Sequence, residues 1–122
     1  MPLRNDWIDS GATDAGPSQT VTRTSFTSED CSSTPVDLTT APGTGLKAVA
    51  MDIIVTTDTA CELKINTESG SQLLSAFLPA ACGFVQLTPR GYIKAATAAK
   101  KLQITTSVAA KVRGLCIWFT EA

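Results

Sequence analysis

The 122-residue sequence contains no histidine. Histidine is the commonest general base and a frequent metal ligand, so Ser-His-Asp and Cys-His arrangements are excluded. The cysteines show no CxxC spacing, which argues against a zinc site. We therefore predict a non-enzymatic protein with no catalytic residue, no metal site and no cofactor, and with free, mostly buried thiols. The four cysteines are Cys31, Cys61, Cys82 and Cys116.

Long apolar runs and a strong charge of either sign are also missing. No segment approaches the roughly 20 consecutive apolar residues that a membrane helix needs. The first residues, MPLRNDWIDSGATD, lack the apolar centre of a secretory leader, so we expect synthesis in the cytoplasm. The formal net charge is only −1, so no overall basic field would attract nucleic acid or a membrane. Neither is predicted as a partner.

Aromatic residues make up only 6% of the chain, so few rings are available to stack on bases or sugars. Tyr92 is the one ring between Arg90 and Lys94, which is too little for a nucleic-acid stacking platform. Asp52 interrupts an apolar run and would be the best candidate for one of a pair of catalytic carboxylates. In a regular strand it falls on the face opposite Val49, Met51, Ile53 and Val55, so an outward or interface position explains it without catalysis.

The sequence does contain a series of short β-strands separated by turn residues. Residues 61–66 (CELKIN) and 101–108 (KLQITTSV) alternate in polarity, which is typical of half-buried strands. Proline and glycine in the stretch LPAACGFVQLTPRGYIKA mark strand ends. We predict an all-β fold, a jelly-roll-like antiparallel β-sandwich of about eight short strands. The predicted strands are 36–40, 46–57, 61–66, 72–78, 84–87, 92–95, 101–108 and 112–119.

Residues 1–35 differ from the rest, with five acidic and two basic residues and few large apolar side chains. We predict an N-terminal arm over 1–35, extended or partly disordered, and a β-sandwich domain over 36–122. Two interpretations of the arm stay open. It is either a disordered tail or a segment that lies along a neighbouring subunit, docked through Trp7, Ile8 and Phe26.

Two predicted strands are apolar on both faces, namely LKAVAMDIIV (46–55) and VRGLCIWF (112–119). One face of each strand makes the core, so the other face needs a cover. That cover is a loop of the same chain, the N-terminal arm or another subunit, and we favour another subunit. The predicted subunit-interface residues are Leu46, Ala48, Ala50, Ile54, Leu115, Ile117 and Phe119.

Three motifs occur in order along the second part of the chain. The first is VTTDTACELKI followed by an SGS turn, the second is FLPAACGFVQLTPRGYIKAAT, and the third is KLQITTS with the apolar closing strand. Together they resemble the small β-sandwich virion proteins of tailed bacteriophages, especially head decoration (cement) proteins. The resemblance covers about two thirds of the chain, from residue 46 to residue 119, and includes no catalytic motif.

The resemblance implies a homo-oligomer, commonly a trimer, on the exterior of the phage head. It would bind the major capsid protein and reinforce the lattice after expansion. Capsid contacts are then expected from Trp7, Ile8, Phe26, Arg90 and Tyr92. The alternative is a carbohydrate- or receptor-binding β-sandwich of a phage fibre or tail, which would need aromatic and polar side chains converging on one sheet or loop rim.

Overall fold

The computed structural model describes residues 20–87 and 92–122, which form an all-β fold. No helix in this part of the chain is long and apolar enough to cross a bilayer. The described strands are β1 (Thr22–Ser28), β2 (Val36–Asp37), β3 (Lys47–Thr57), β4 (Cys61–Thr67), β5 (Gln72–Leu78), β6 (Val85–Gln86), β7 (Ile93–Lys94), β8 (Leu102–Thr106) and β9 (Val112–Glu121).

The strands form two antiparallel sheets. Sheet A has the order β1-β9-β3-β6, with β7 also paired to β3, and sheet B has the order β2-β8-β4-β5. The pairs β1–β9, β2–β8, β3 with β6 and β7, and β4–β5 are nested about the β4–β5 connection, as in one long hairpin wrapped around a core. This is the jelly-roll order, and the predicted fold class is confirmed. Because β6 and β7 share one edge of β3, the strands fill eight positions.

The core lies between the two sheets. In β4, Cys61, Leu63 and Ile65 point inwards, as their alternation predicts, and the residues between them are half-buried. Trp118 of β9 is also in the core, and its indole Nε1 donates a hydrogen bond to Thr24 Oγ1 of β1 at 2.9 Å. The polar atom of this large ring is therefore satisfied inside the sandwich.

Strand β1 belongs to the sandwich, although the sequence analysis assigns its residues to the N-terminal arm. It pairs with β9 from Thr22 to Ser28, so sheet A begins well before Val36. Phe26 is 3% exposed and lies against Gly114 of β9, where a side chain would collide with the ring. The prediction that Phe26 contacts a capsid or a neighbouring subunit is therefore wrong. Trp7 and Ile8 lie outside the described residues.

A β-bulge in β3 changes which residues face the core. The register of β3 against β9 shifts between Ala50 and Asp52, so Met51 is an extra residue. Ala48 and Ala50 share the core with Ile53 and are fully buried. The prediction that these two alanines form a subunit interface is therefore wrong. It assumed strict alternation, and one extra residue moves all later side chains to the other face.

Candidate interaction surface

The side of sheet A that faces away from the core has an apolar centre. Ile54 of β3 lies directly opposite Leu115 of β9, and Ile117 is the next outward-facing residue of β9. These three side chains, which we call the apolar centre, are half-buried and do not belong to the core cluster. Among the described residues no third sheet covers them. An outer face of this kind is usually polar when it faces water.

An aromatic pair closes one end of this face. Val49 and Phe119 are cross-strand partners on β3 and β9, and both are buried. The ring of Tyr92 meets Phe119 edge-on, with ring centroids 5.5 Å apart and an interplanar angle of 83°. Phe119 thus lies on the predicted face but is shielded by its own chain. Tyr92 is 61% exposed and is the part of this pair that a partner could contact.

Charged side chains lie at both ends of the apolar centre. Lys94 Nζ is 2.6 Å from Glu121 Oε2 at one end, and the Arg113 guanidinium is 3.1 Å from Glu29 Oε2 at the other. Both pairs are exposed, so each contributes at most about 1 kcal/mol to folding. They nevertheless place charges of both signs at the two ends of the apolar centre. An apolar middle with a polar rim is typical of protein–protein interfaces.

Asp52 lies on this same face, beside the apolar centre. It is opposite Ile117, and its Oδ1 accepts a hydrogen bond from Gln86 Nε2 at 2.9 Å. The outward position is the one expected from the sequence. On the other side of the sheet, burial, together with the negative charge of Asp52, raises the pKa of Cys116 to about 12. The Cys116 thiol therefore stays protonated at neutral pH.

All four cysteines are free, and three of them are buried, as the sequence analysis expects. Burial raises the pKa of Cys31 and of Cys61. Cys82 is half-buried in the loop after β5. Burial would raise the pKa of Cys82, but hydrogen bonds involving Thr57 and Thr56 outweigh it and bring the pKa below its ordinary value. Cys82 is thus the thiol of this chain that ionises most readily.

The described part of the chain contains no group of three or more His, Cys, Asp or Glu side chains that could hold a metal ion. Comparisons of the whole chain with known protein families, with curated proteins and with solved structures find no match. The functional interpretation therefore depends on the surfaces themselves and on the sequence motifs.

The structure brings four predicted interface residues onto one face, namely Ile54, Leu115, Ile117 and Phe119. Leu46 precedes β3 and is half-buried. Its N–H donates a hydrogen bond to the Gly43 carbonyl oxygen at 3.0 Å. Whether a partner binds these residues stays a prediction. Of the predicted capsid-contact residues, Tyr92 is exposed beside this face and Arg90 lies outside the described residues.

The sequence patterns do not predict two aromatic residues that are exposed in the structure. Phe77 on β5 is 83% exposed and Phe84 in the following loop is 65% exposed. A signal for Phe77 is present in the stretch QLLSAFL, where alternation puts Ser75 and Phe77 on one face and Ala76 and Leu78 on the other. No comparable pattern marks Phe84, because it lies between strands.

Proposed function

We propose that this chain is a non-enzymatic structural protein of a phage virion. Its role would be that of a head decoration (cement) protein, which binds the outside of the expanded capsid as a homo-oligomer, specifically a trimer. Synthesis would take place in the cytoplasm of the host bacterium. The partners would be other copies of the chain and the major capsid protein.

The observation that carries this proposal is the apolar centre of sheet A. Ile54, Leu115 and Ile117 are adjacent on the face opposite the core, and ion pairs flank them at both ends. A contact with another subunit would remove these side chains from water, and each square ångström of apolar surface removed is worth about 25 cal/mol. The resemblance of residues 46–119 to decoration proteins supports the same interpretation.

The proposed mechanism is reinforcement of the joints between capsid subunits. A contact that buries roughly 800 Å² on each partner is enough for specific binding. An oligomer that holds several capsid subunits at once gains further affinity, because each additional contact is intramolecular. We assign the capsid contacts to the exposed ring of Tyr92 and, from the sequence alone, to Trp7, Ile8 and Arg90.

The test uses the purified chain, light scattering and co-sedimentation with empty expanded heads of the same phage. We expect an oligomer that sediments with expanded heads. Ile117→Lys places a charge in the apolar centre and should reduce the oligomer to smaller species. Val108→Lys is the matched control, since it introduces the same charge at an exposed apolar residue in the loop between β8 and β9.

Two results would contradict the proposal. One is a wild-type chain that remains a single copy at all concentrations and does not sediment with heads. The other is an Ile117→Lys variant that keeps both its fold, judged by circular dichroism, and its oligomeric mass.

A carbohydrate- or receptor-binding module is the second candidate, and the exposed aromatic rings favour it. Phe84 and Tyr92 are both more than half exposed, and aromatic faces are common platforms for sugars. Jelly rolls occur in lectins as well as in viral capsids, so the fold does not separate the two candidates. Binding on a glycan array that Phe84→Ala or Tyr92→Ala abolishes would favour this second function over the first.

A further inference from the structure

Strand β5 forms one edge of sheet B and lacks the usual protection of an edge. Among the described residues its only strand partner is β4. Edge strands normally carry a charged residue, a proline or a bulge that blocks pairing with other chains. The only irregularity of β5 is near its start, where the register with β4 shifts between Gln72 and Leu74. The sequence contains no charged residue from Ser69 to Pro89.

The hydrogen bonds of β4 show which backbone groups of β5 face the open edge. The N–H of Glu62 donates a hydrogen bond to Ser107 Oγ, and the C=O of Glu62 accepts one from the Ser107 N–H. Both groups of Glu62 therefore face the β8 side of β4. Because backbone groups alternate in direction along a strand, those of Leu63 and Ile65 face β5. Their partners on β5 therefore turn their own N–H and C=O groups towards β4.

Those partners are Ala76, opposite Leu63, and Leu74, opposite Ile65. Ser75 lies between these two residues and Phe77 follows Ala76. Because the backbone groups alternate in direction, Ser75 and Phe77 direct their N–H and C=O groups away from β4. The open edge thus offers two donors and two acceptors at a spacing that suits another strand. An unpaired edge of this kind is a template for strand addition.

We propose that β5 pairs antiparallel with β5 of a second copy of this chain, with Ala76 opposite Ala76. In this register Ser75 of each copy is opposite Phe77 of the other. The two residues would exchange both of their backbone hydrogen bonds. The contact has two-fold symmetry, so each copy uses the same edge and the contact closes on itself.

The side chains fit this register. Ala76 would occupy a non-hydrogen-bonded position, where opposite Cα atoms approach to about 4.5 Å and a small side chain is suitable. Leu74 of one copy would meet Leu78 of the other on the core side. On the outer side the two Phe77 rings would be diagonal neighbours, about 7–8 Å apart at their Cα atoms, within reach of each other. Pairing would thus cover the most exposed large apolar side chain among the described residues.

This inference does not rest on the proposed function, because it uses the edge of sheet B rather than the outer face of sheet A. The two contacts are separated by working with the Ile117→Lys variant, in which the contact through the apolar centre is removed. In that variant we expect light scattering to give two chains at high concentration and one chain on dilution. Residue-resolved amide exchange should show the Ser75 and Phe77 N–H groups at least about tenfold slower in the paired state.

Two further substitutions break the pairing without removing a backbone hydrogen bond between β4 and β5. Phe77→Lys would place two ammonium groups on diagonal positions, where like charges repel. Ser75→Pro removes an N–H that faces away from β4, a position at which an edge strand tolerates proline. Each is expected to give a single folded chain in the Ile117→Lys background. Phe84→Lys is the control, since it changes an equally apolar exposed ring outside the edge and should leave the pair intact.

Several outcomes would overturn the inference. One is a Phe77→Lys chain that still pairs, or rapid exchange of the Ser75 amide while the chains are paired. Another is protection of the β5 amides in the single chain, which would mean that residues of the same chain cover the edge. Protection that appears only when phage heads are added would mean that a capsid strand, rather than a second copy, occupies β5.

Discussion

Gly114→Ala is expected to be among the most destabilising single substitutions in the sandwich. A Cβ at this position would lie 2.2 Å from the carbonyl oxygen of Ile54 and 2.4 Å from Cζ of Phe26. The first contact is with the backbone of the neighbouring strand β3, and the second is with a buried ring. Neither atom belongs to the free end of a flexible side chain, so both strands and the ring must move.

The magnitude follows from these two contacts. Extra atoms in a packed core typically cost about 1–3 kcal/mol. Since one of the colliding atoms is backbone in the middle of sheet A, we expect a loss of about 3 kcal/mol or more. For a domain of this size that corresponds to a decrease in melting temperature of roughly 10 °C.

The assay is urea unfolding followed by circular dichroism, with Gly70→Ala as the matched control. The nearest atoms to a Cβ at Gly70 are 3.6 Å away, in ordinary contact, so this variant should stay within about 0.5 kcal/mol of the wild type. Equal stability of the two variants would refute the packing of Phe26 against Gly114, and with it the place of β1 in sheet A.

Three other predictions concern the core, the acid stability and the thiols. Thr24→Val removes the acceptor of the Trp118 Nε1 hydrogen bond and should lower the free energy of unfolding by about 1–3 kcal/mol, measured in urea; an unchanged midpoint would contradict it. The pKa of Asp58 lies below its ordinary value, chiefly because a backbone N–H donates a hydrogen bond to its carboxylate. The ionised carboxylate therefore stabilises the folded state above the unfolded-state pKa, and this stabilisation is lost as the pH falls through the folded-state pKa. Asp58→Asn should therefore weaken the decrease in stability as the pH falls below about 5, and the same slope in both proteins would exclude this role. Alkylation of the native protein at neutral pH should modify Cys82 first and Cys116 last, as read by peptide mass spectrometry, and equal rates would contradict the burial of Cys116.

The strands could be predicted where their polarity alternates. The structure gives β5 the bounds Gln72–Leu78 expected from the sequence, and β4 differs from its prediction by one residue. Alternation is a local property, because each residue of a strand points to the face opposite its neighbours. Strand β1 could not be found this way, because TRTSFTS contains one large apolar residue and its partner in packing is a glycine on β9.

The sequence by itself determined the fold class, the absence of histidine chemistry and the apolar character of both faces of β9. Only the tertiary structure decided which side chains of β3 face outwards, because one extra residue at the bulge reverses the faces beyond it. It also decided that Phe26 is a core residue, since that depends on room left by Gly114, far along the chain. Contacts between distant residues are set by strand pairing and packing, which local periodicity does not encode.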